Sequence, residues 1–418
     1  MELKRVVVTG LGALTPVGNN VAETWDNLVK GVSGAGPITH FDASKFKTHF
    51  ACEVKNFNGT DYIDRKELRK MDLYTQYAIA AAKEAVEDSG MDLEKEDLNR
   101  IGVIYGVGIG GIHTFEEEVA NYTLNKDTVG PKFNPFFIPK MIADIASGQI
   151  SIMYGFHGPN FTTTSACASS SNAIADAFNY IRLGKANVIV AGGAEAAIFE
   201  AGLGGFNAMH ALSTRNDDPE RASRPFSASR DGFVMGEGAG CLILEELEHA
   251  KKRGAKIYAE IVGYGQSADA YDMVAPDPEG NGAIKSMELA LADAGLKPED
   301  IDYINPHGTS TGLGDVAESQ AIAKIFGDKD QNKNLVVSST KSMHGHMLGA
   351  TGAVEGIVCV KAITDGKVPP TINLDNQDEH VANLDYVPHK ARDKKVGAAL
   401  SNSFGFGGHN ATLVFKAV

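Results

Sequence analysis

Cysteine is scarce in this chain. Four residues, Cys52, Cys167, Cys241 and Cys359, are spread over 418 positions with no Cys-x-x-Cys pair. That spacing speaks against a disulfide framework or a cysteine-rich zinc site and predicts a reducing, cytoplasmic setting. No apolar run reaches the length of a membrane span. The start, MELKRVVVTGLG, enters an apolar strand without a signal-peptide pattern. Basic residues are outnumbered, 39 Lys and Arg against 53 Asp and Glu, and the net charge of −14 argues against a nucleic-acid binder. A dinucleotide-binding turn is lacking too. TGLGALTPVG begins like one, but Pro16 interrupts it and no acidic residue closes a second strand at the required distance.

Glycine, by contrast, is abundant and clustered, as in GVGIGG, GGAEA, GEGAG and GFGGH. Such clusters suit tight junctions between strands and helices. Strand and helix patterns alternate along the whole chain, with helices expected over residues 21–30, 62–90, 168–183, 247–253, 282–295, 315–326 and 350–364. Ala78, Ala81, Ala82 and Ala85 form a small packing face on the second of these. A break near residues 253–256 divides the pattern into two similar α/β halves, 1–254 and 255–418. Each is expected to carry a mostly parallel sheet, with no close residue-level repeat between them.

The stretch NFTTTSACASSSNAIADAFNYIRLGKANVIVAGG reads as strand, turn, helix and buried strand, with Cys167 at the turn. A lone cysteine is more often a buried structural residue. At a strand-to-helix elbow, however, it faces the positive end of the helix dipole and free backbone N–H groups that favour a thiolate or an oxyanion. The small residues around it, Ser165 to Ser171, are expected to leave room for a substrate. His307 follows an apolar strand, and Lys341, His344 and His346 follow another, both at strand ends where α/β proteins place chemistry. A zinc site built from Cys167, His307, His344 and His346 has only a weak signature. NSFGFGGHN brings a glycine-rich loop whose N–H groups suit an oxyanion, with Phe404 and Phe406 as an apolar wall. Arg65, Lys66, Arg69 and Lys70 form a local basic patch that an acidic partner would need.

These motifs together (TSACASS, DGFVMGEGAG, HGTST, STKSMHGH and NSFGFGG) resemble the β-ketoacyl-acyl carrier protein synthases, most nearly the synthase II group of type II fatty acid synthesis. The resemblance runs over essentially the full length. It implies the thiolase fold, two similar α/β halves packed as a five-layer αβαβα sandwich, the N-terminal half carrying the nucleophile and the C-terminal half the histidine pair. It implies decarboxylating condensation of an acyl chain on Cys167 with a malonyl-acyl carrier protein, and no cofactor. His307 and His346 would activate decarboxylation, with Lys341 behind His346 and paired with Glu318. The N–H groups of Cys167 and Phe406 would form the oxyanion hole, and Phe406 would gate the acyl pocket. Thr309, Thr311, Phe404 and Phe206 would line the substrate path, and Ile109 would shape the acyl pocket across a homodimer interface. Lys66, Arg69 and Lys70 would dock the acidic carrier.

The sequence departs from the family's usual pattern at Pro306 and Gly312, where Ala and Pro are usual, and at His344, where Thr or an apolar residue is commoner. Asp272 and Val274 replace His and Thr in DAYDMVAP, so that Thr309 would carry more of the contact to the phosphopantetheine arm. His210 replaces a common Arg in the docking region. None of these is a member of the Cys-His-His set. Two alternatives share the motifs: a polyketide-type ketosynthase, and a catalytically silent partner subunit that sets chain length. A thiolase would use a second cysteine in place of the histidine pair.

Overall fold

The computed structural model describes residues 3–418. Its main sheet has ten strands: β1 (Val6–Leu14), β2 (Ile101–Gly106), β3 (Asn160–Thr163), β4 (Val188–Glu195), β5 (Gly238–Glu246), β6 (Ala259–Ala268), β7 (Tyr303–Asn305), β8 (Val336–Val337), β9 (Ala398–Gly405) and β10 (His409–Lys416). Their order is β8–β7–β9–β10–β6–β1–β5–β4–β2–β3. The two halves meet where Val6, Val7 and Val8 of β1 run antiparallel to Ile261, Glu260 and Ala259 of β6. Read outward from that seam, both halves use their strands in the same order, first, fifth, fourth, second, third. The duplication suggested by the alternating pattern is therefore present in the topology.

The sheet is mixed, which corrects the expectation of mostly parallel halves. β4–β2–β3 and β9–β7–β8 are parallel, but β5 and β10 run antiparallel to their neighbours on both sides. Strands such as β1, β4 and β5 are buried along their whole length, because helices cover both faces. The covering helices are α1 (Leu73–Asp88), α2 (Ser169–Arg182), α3 (Asn281–Ala294), α4 (Gly312–Phe326) and α5 (Thr351–Asp365). α1 packs on β1, β5 and β4, and α3 on β6 and β10 with α4 beside it, while α2 and α5 lie against each other between the two half-sheets. That gives five layers. α5 buries residues all round its axis, as a central helix must.

Close approach explains the alanine face of α1. A Cβ on Gly10 would lie 2.3 Å from Ala85 O, and one on Gly12 would lie 1.9 Å from Ala81 O. The second half repeats the device, since Cβ atoms on Gly263 and Gly265 would meet Ala294 N at 2.5 Å and Ser286 O at 1.9 Å. This Gly-x-Gly pair on the first strand of each half is a residue-level trace of the duplication that sequence reading overlooks. The long helix expected over residues 62–90 is broken. Asp64 caps a single turn, Arg65–Leu68, and α1 starts afresh after Asp72, whose carboxylate instead bonds Thr114.

Candidate active site

Cys167 stands in a turn between β3 and α2. The preceding Ala166 holds a left-handed backbone (φ 50), and a 3-10 turn over Ala166–Ala168 runs straight into the helix. Side chains staple the turn: Ser165 N donates to Ser169 Oγ at 2.9 Å, Ser169 Oγ to Ala166 O at 2.7 Å, and Asn172 Nδ2 to Ser165 Oγ at 2.6 Å. Ser170 accepts from Ala353 N, and Ser171 pairs with Ser403. These serines are buried and committed, so they do not open space for a substrate as expected from their size. Such a strained elbow persists only where its surroundings over-determine it. Opposite it, Gly405 passes so close that a Cβ would lie 2.8 Å from Ser165 O and 3.0 Å from Cys167 N. The backbone N–H groups of Phe406 and of Cys167 itself lie on the side of the sulfur where they favour its thiolate. Burial pushes the thiol up to about 12. The Lys341 charge and these N–H groups draw it down, and Glu195 works against them.

His307 follows β7. Glu318 of α4 anchors its loop, accepting from His307 N and Gly308 N at 2.7 Å each and from Asn402 Nδ2 at 3.2 Å. Burial nevertheless raises the Glu318 carboxyl to about 7. His346 follows the short helix Lys341–His344 and Gly345 (φ 68). Its N–H donates to Val234 O at 2.7 Å, and its Nδ1 lies 3.1 Å from Thr351 Oγ1. The two imidazoles meet edge to face with centroids 5.3 Å apart. One ligand atom from each of Cys167, His307 and His346 falls within 4.8 Å of the others. Burial first, and the Lys341 charge second, hold both imidazoles well below the usual histidine range, hence neutral. His344 is not part of this group, because both of its nitrogens bond elsewhere.

Lys341 needs a correction. Its ammonium pairs with Glu355 of α5 at 2.6 Å, not with Glu318, whose two oxygens are taken by the His307 loop and Asn402. Besides Glu355, two acidic residues of the site lie outside the sequence motifs. Glu195, at the end of β4, is buried and accepts from the N–H groups of Gly108, Ile109, Gly110 and Gly349. Burial lifts it to about 7. Asp315 accepts from Ser310 N and Phe226 N, fixing the loop that carries Thr309 and Thr311. A carboxylate straight after an apolar strand, as in VIVAGGAE, was the available signal for Glu195.

A cavity of about 400 Å³ opens onto Cys167, His307 and His346. Thr309, Thr311, Phe206, Phe404, Phe406, Val274 and His210 line it, as does Glu318. Ile109 lies outside this cavity, half exposed on the loop after β2. Asp272 is on the surface, where its carboxylate caps the turn at Val274 and Ala275. Lys66 and Arg69 are exposed, and Lys70, partly buried, pairs with Glu67.

Known proteins resemble this chain along its whole length. The models of the β-ketoacyl synthase N-terminal and C-terminal domains match residues 3–250 and 258–375. A 3-oxoacyl-[acyl-carrier-protein] synthase 2 of Staphylococcus aureus (strain COL) is 52% identical over 413 residues, 99% of this chain and 98% of its own. One from Coxiella burnetii (strain RSA 493 / Nine Mile phase I) is 50% identical over 418 residues, all of both chains. Among solved structures, a type II polyketide ketosynthase in complex with its acyl carrier protein superposes over 100% of both chains, with a TM-score of 0.88 and 33% identity. With both domain models matched and half the residues shared along its full length, the chain belongs to the β-ketoacyl synthase family.

Proposed function

We propose that this protein elongates acyl chains in fatty acid synthesis by decarboxylating Claisen condensation, as a 3-oxoacyl-acyl carrier protein synthase of type II. The observation that carries the reading is one thiol within 4.8 Å of two neutral imidazoles, with two backbone N–H groups that favour its thiolate.

The acyl group first moves from its carrier thioester to Cys167. The sulfur attacks the carbonyl, the N–H groups of Cys167 and Phe406 hold the oxyanion, and the thiol proton leaves with the carrier thiol. A neutral imidazole within 4.8 Å is in reach to carry that proton. Malonyl carrier then enters. Carbon dioxide departs with cleavage of its carbon–carbon bond, and the electron pair is held as an enolate whose oxygen accepts from His307 and His346. A Thr351 hydroxyl that donates to His346 Nδ1 leaves Nε2 as the N–H donor. The carbanion attacks the acyl-Cys167 carbonyl, the second oxyanion uses the same two N–H groups, and its collapse expels the sulfur as thiolate, which takes up one proton from solvent. Atoms and electrons balance without an oxidant or reductant.

Lys341, Glu355 and Glu318 act here by charge and position. Thr309, Thr311, Phe206 and Phe404 would receive the arm and the acyl chain, with Ile109 shaping the pocket from a second subunit. An acyl carrier protein is the expected partner, docking on Lys66, Arg69 and Lys70. Homodimerisation gives a partner to a surface that otherwise exposes much apolar area. The helix Ile112–Val129 buries only Thr114 among its described residues, Phe115, Leu124, Phe133 and Ile138 are exposed nearby, and β3 is an edge strand. Four free cysteines suit a cytoplasmic location, and no described helix is long and apolar enough to cross a membrane.

Mass analysis of the product from acyl- and malonyl-carrier tests the reading. A 3-oxoacyl chain two carbons longer supports it, repeated extension without reduction favours a polyketide ketosynthase, and no product favours a silent subunit.

A further inference from the structure

The proposed steps leave one imidazole of this region unused. His344 is fully buried, and both ring nitrogens are engaged. Nδ1 lies 2.7 Å from Gly345 O, and Nε2 lies 3.0 Å from Thr340 Oγ1. A carbonyl oxygen can only accept, so Nδ1 carries the proton and Nε2 accepts from the threonine hydroxyl. Thr340 Oγ1 accepts in turn from Asn305 Nδ2 at 3.2 Å. Every donor meets an acceptor in one direction, from Asn305 through Thr340 and His344 to Gly345.

The two ends of this relay matter. Gly345 O belongs to the peptide that leads into His346, at a backbone turned into the left-handed region. Asn305 ends β7, two residues before His307. The relay therefore spans the two loops that bring the histidines together, which are tied at a second point by Ser339 Oγ donating to Gly308 O at 2.7 Å. An apolar side chain at position 344 could make neither bond. The groups holding Cys167 and its N–H donors are different ones: Ser165, Ser169, Asn172 and Gly405.

We propose that His344 is a positioning residue: its bonds to Gly345 and Thr340 hold His346 in register with His307, and so serve malonyl decarboxylation rather than acylation of Cys167. The inference rests on the reading above, in which the two imidazoles together bind the enolate oxygen. Two donors must converge on one atom, and a displacement of about 1 Å is costly for such geometry. Burial, with Lys341 close by, lowers the His344 pKa to about 3, in keeping with one protonated and one accepting nitrogen.

The test separates the half-reactions in the full-length protein. His344→Leu is expected to slow malonyl-carrier decarboxylation roughly ten- to hundred-fold in kcat, with KM and the rate of Cys167 acylation little changed. His344→Gln, whose amide can both donate and accept, recovers most of the loss. Thr340→Val cuts the relay from its other side and gives the same selective defect, which keeps the test decisive if His344→Leu does not fold. In the wild type, ¹⁵N histidine spectra show His344 as the neutral Nδ1–H tautomer. Equal loss of both half-reactions, full decarboxylation in the folded variants, or an Nε2–H tautomer would overturn the proposal. A wild type that binds malonyl carrier yet never decarboxylates it sinks the synthase reading instead, and the tautomer still decides whether the relay exists.

Discussion

Lys341 Nζ lies 2.6 Å from Glu355 Oε1, with the two side chains 1% and 0% exposed. The ammonium is thus fixed below the site, where its charge lowers His307, His344 and His346 and draws the Cys167 thiol down. Lys341→Met leaves Glu355 as a buried carboxyl without its partner, and a stability loss of about 3–5 kcal/mol is expected in denaturant titration. In the folded variant Cys167 loses a charge that favours its thiolate. Alkylation by iodoacetamide is expected to slow accordingly, by about tenfold for each unit the thiol pKa rises. An unchanged alkylation rate would contradict this placement of the charge.

Glu195 acts on the same thiol with the opposite sign. Glu195→Gln removes a negative charge, so alkylation of Cys167 is expected to quicken. Its four N–H donors would then face an amide that can accept only on one side. A cost of about 1–3 kcal/mol follows from the donors left unmet, visible as a lower Tm. Slower alkylation with unchanged Tm is the result that would count against it.

Gly405→Ala tests the oxyanion hole through the backbone. The new Cβ would meet Ser165 O and Cys167 N at 2.8 and 3.0 Å, and Phe406 N–H would be pushed from the sulfur. Loss of one such donor is worth about 10²–10³ in kcat. The expected outcome is that fall in condensation, with substrate KM little affected. A variant of near-normal kcat would remove Phe406 N–H from the mechanism.

Much of this architecture is legible in the residues. The helices Val21–Lys30 and Leu247–Arg253 have the expected bounds, because Asn20 and Glu246 cap their starts and Gly31 and Gly254 end them. The Cys167 elbow, and the strand ends before His307 and His346, follow from apolar runs that stop at glycine or polar clusters. Strand direction did not follow. β5 is buried along its whole length and β10 in all but its end residues, like the parallel strands of the sheet, and only the route of the chain makes them antiparallel. The partner of Lys341 was equally hidden. Glu355 lies inside TGAVEGIVCV, a segment whose period signals only a buried helix, and packing of that helix brings it to the lysine. Glu195 and Ser170 are polar groups satisfied by distant backbone, which local pattern does not report.

Gly312 is open to stabilisation. It is the first residue of α4, where an N–H has no helical acceptor, and a Cβ there would meet nothing within 4 Å. Its φ is not in the left-handed region. Gly312→Pro is expected to add about 0.4–1 kcal/mol by restricting the unfolded chain, with activity retained. Destabilisation would show that the loop before α4 needs the glycine's freedom.

The account turns on Cys167 as the acylated nucleophile, and intact-protein mass spectrometry tests it most directly. Wild type and Cys167→Ala are each incubated with a medium-chain acyl carrier protein, and malonyl carrier is then added. The expected result is one acyl adduct on wild type alone, discharged by malonyl carrier as a 3-oxoacyl product two carbons longer. An adduct that persists on Cys167→Ala, or none on wild type, would contradict the assignment.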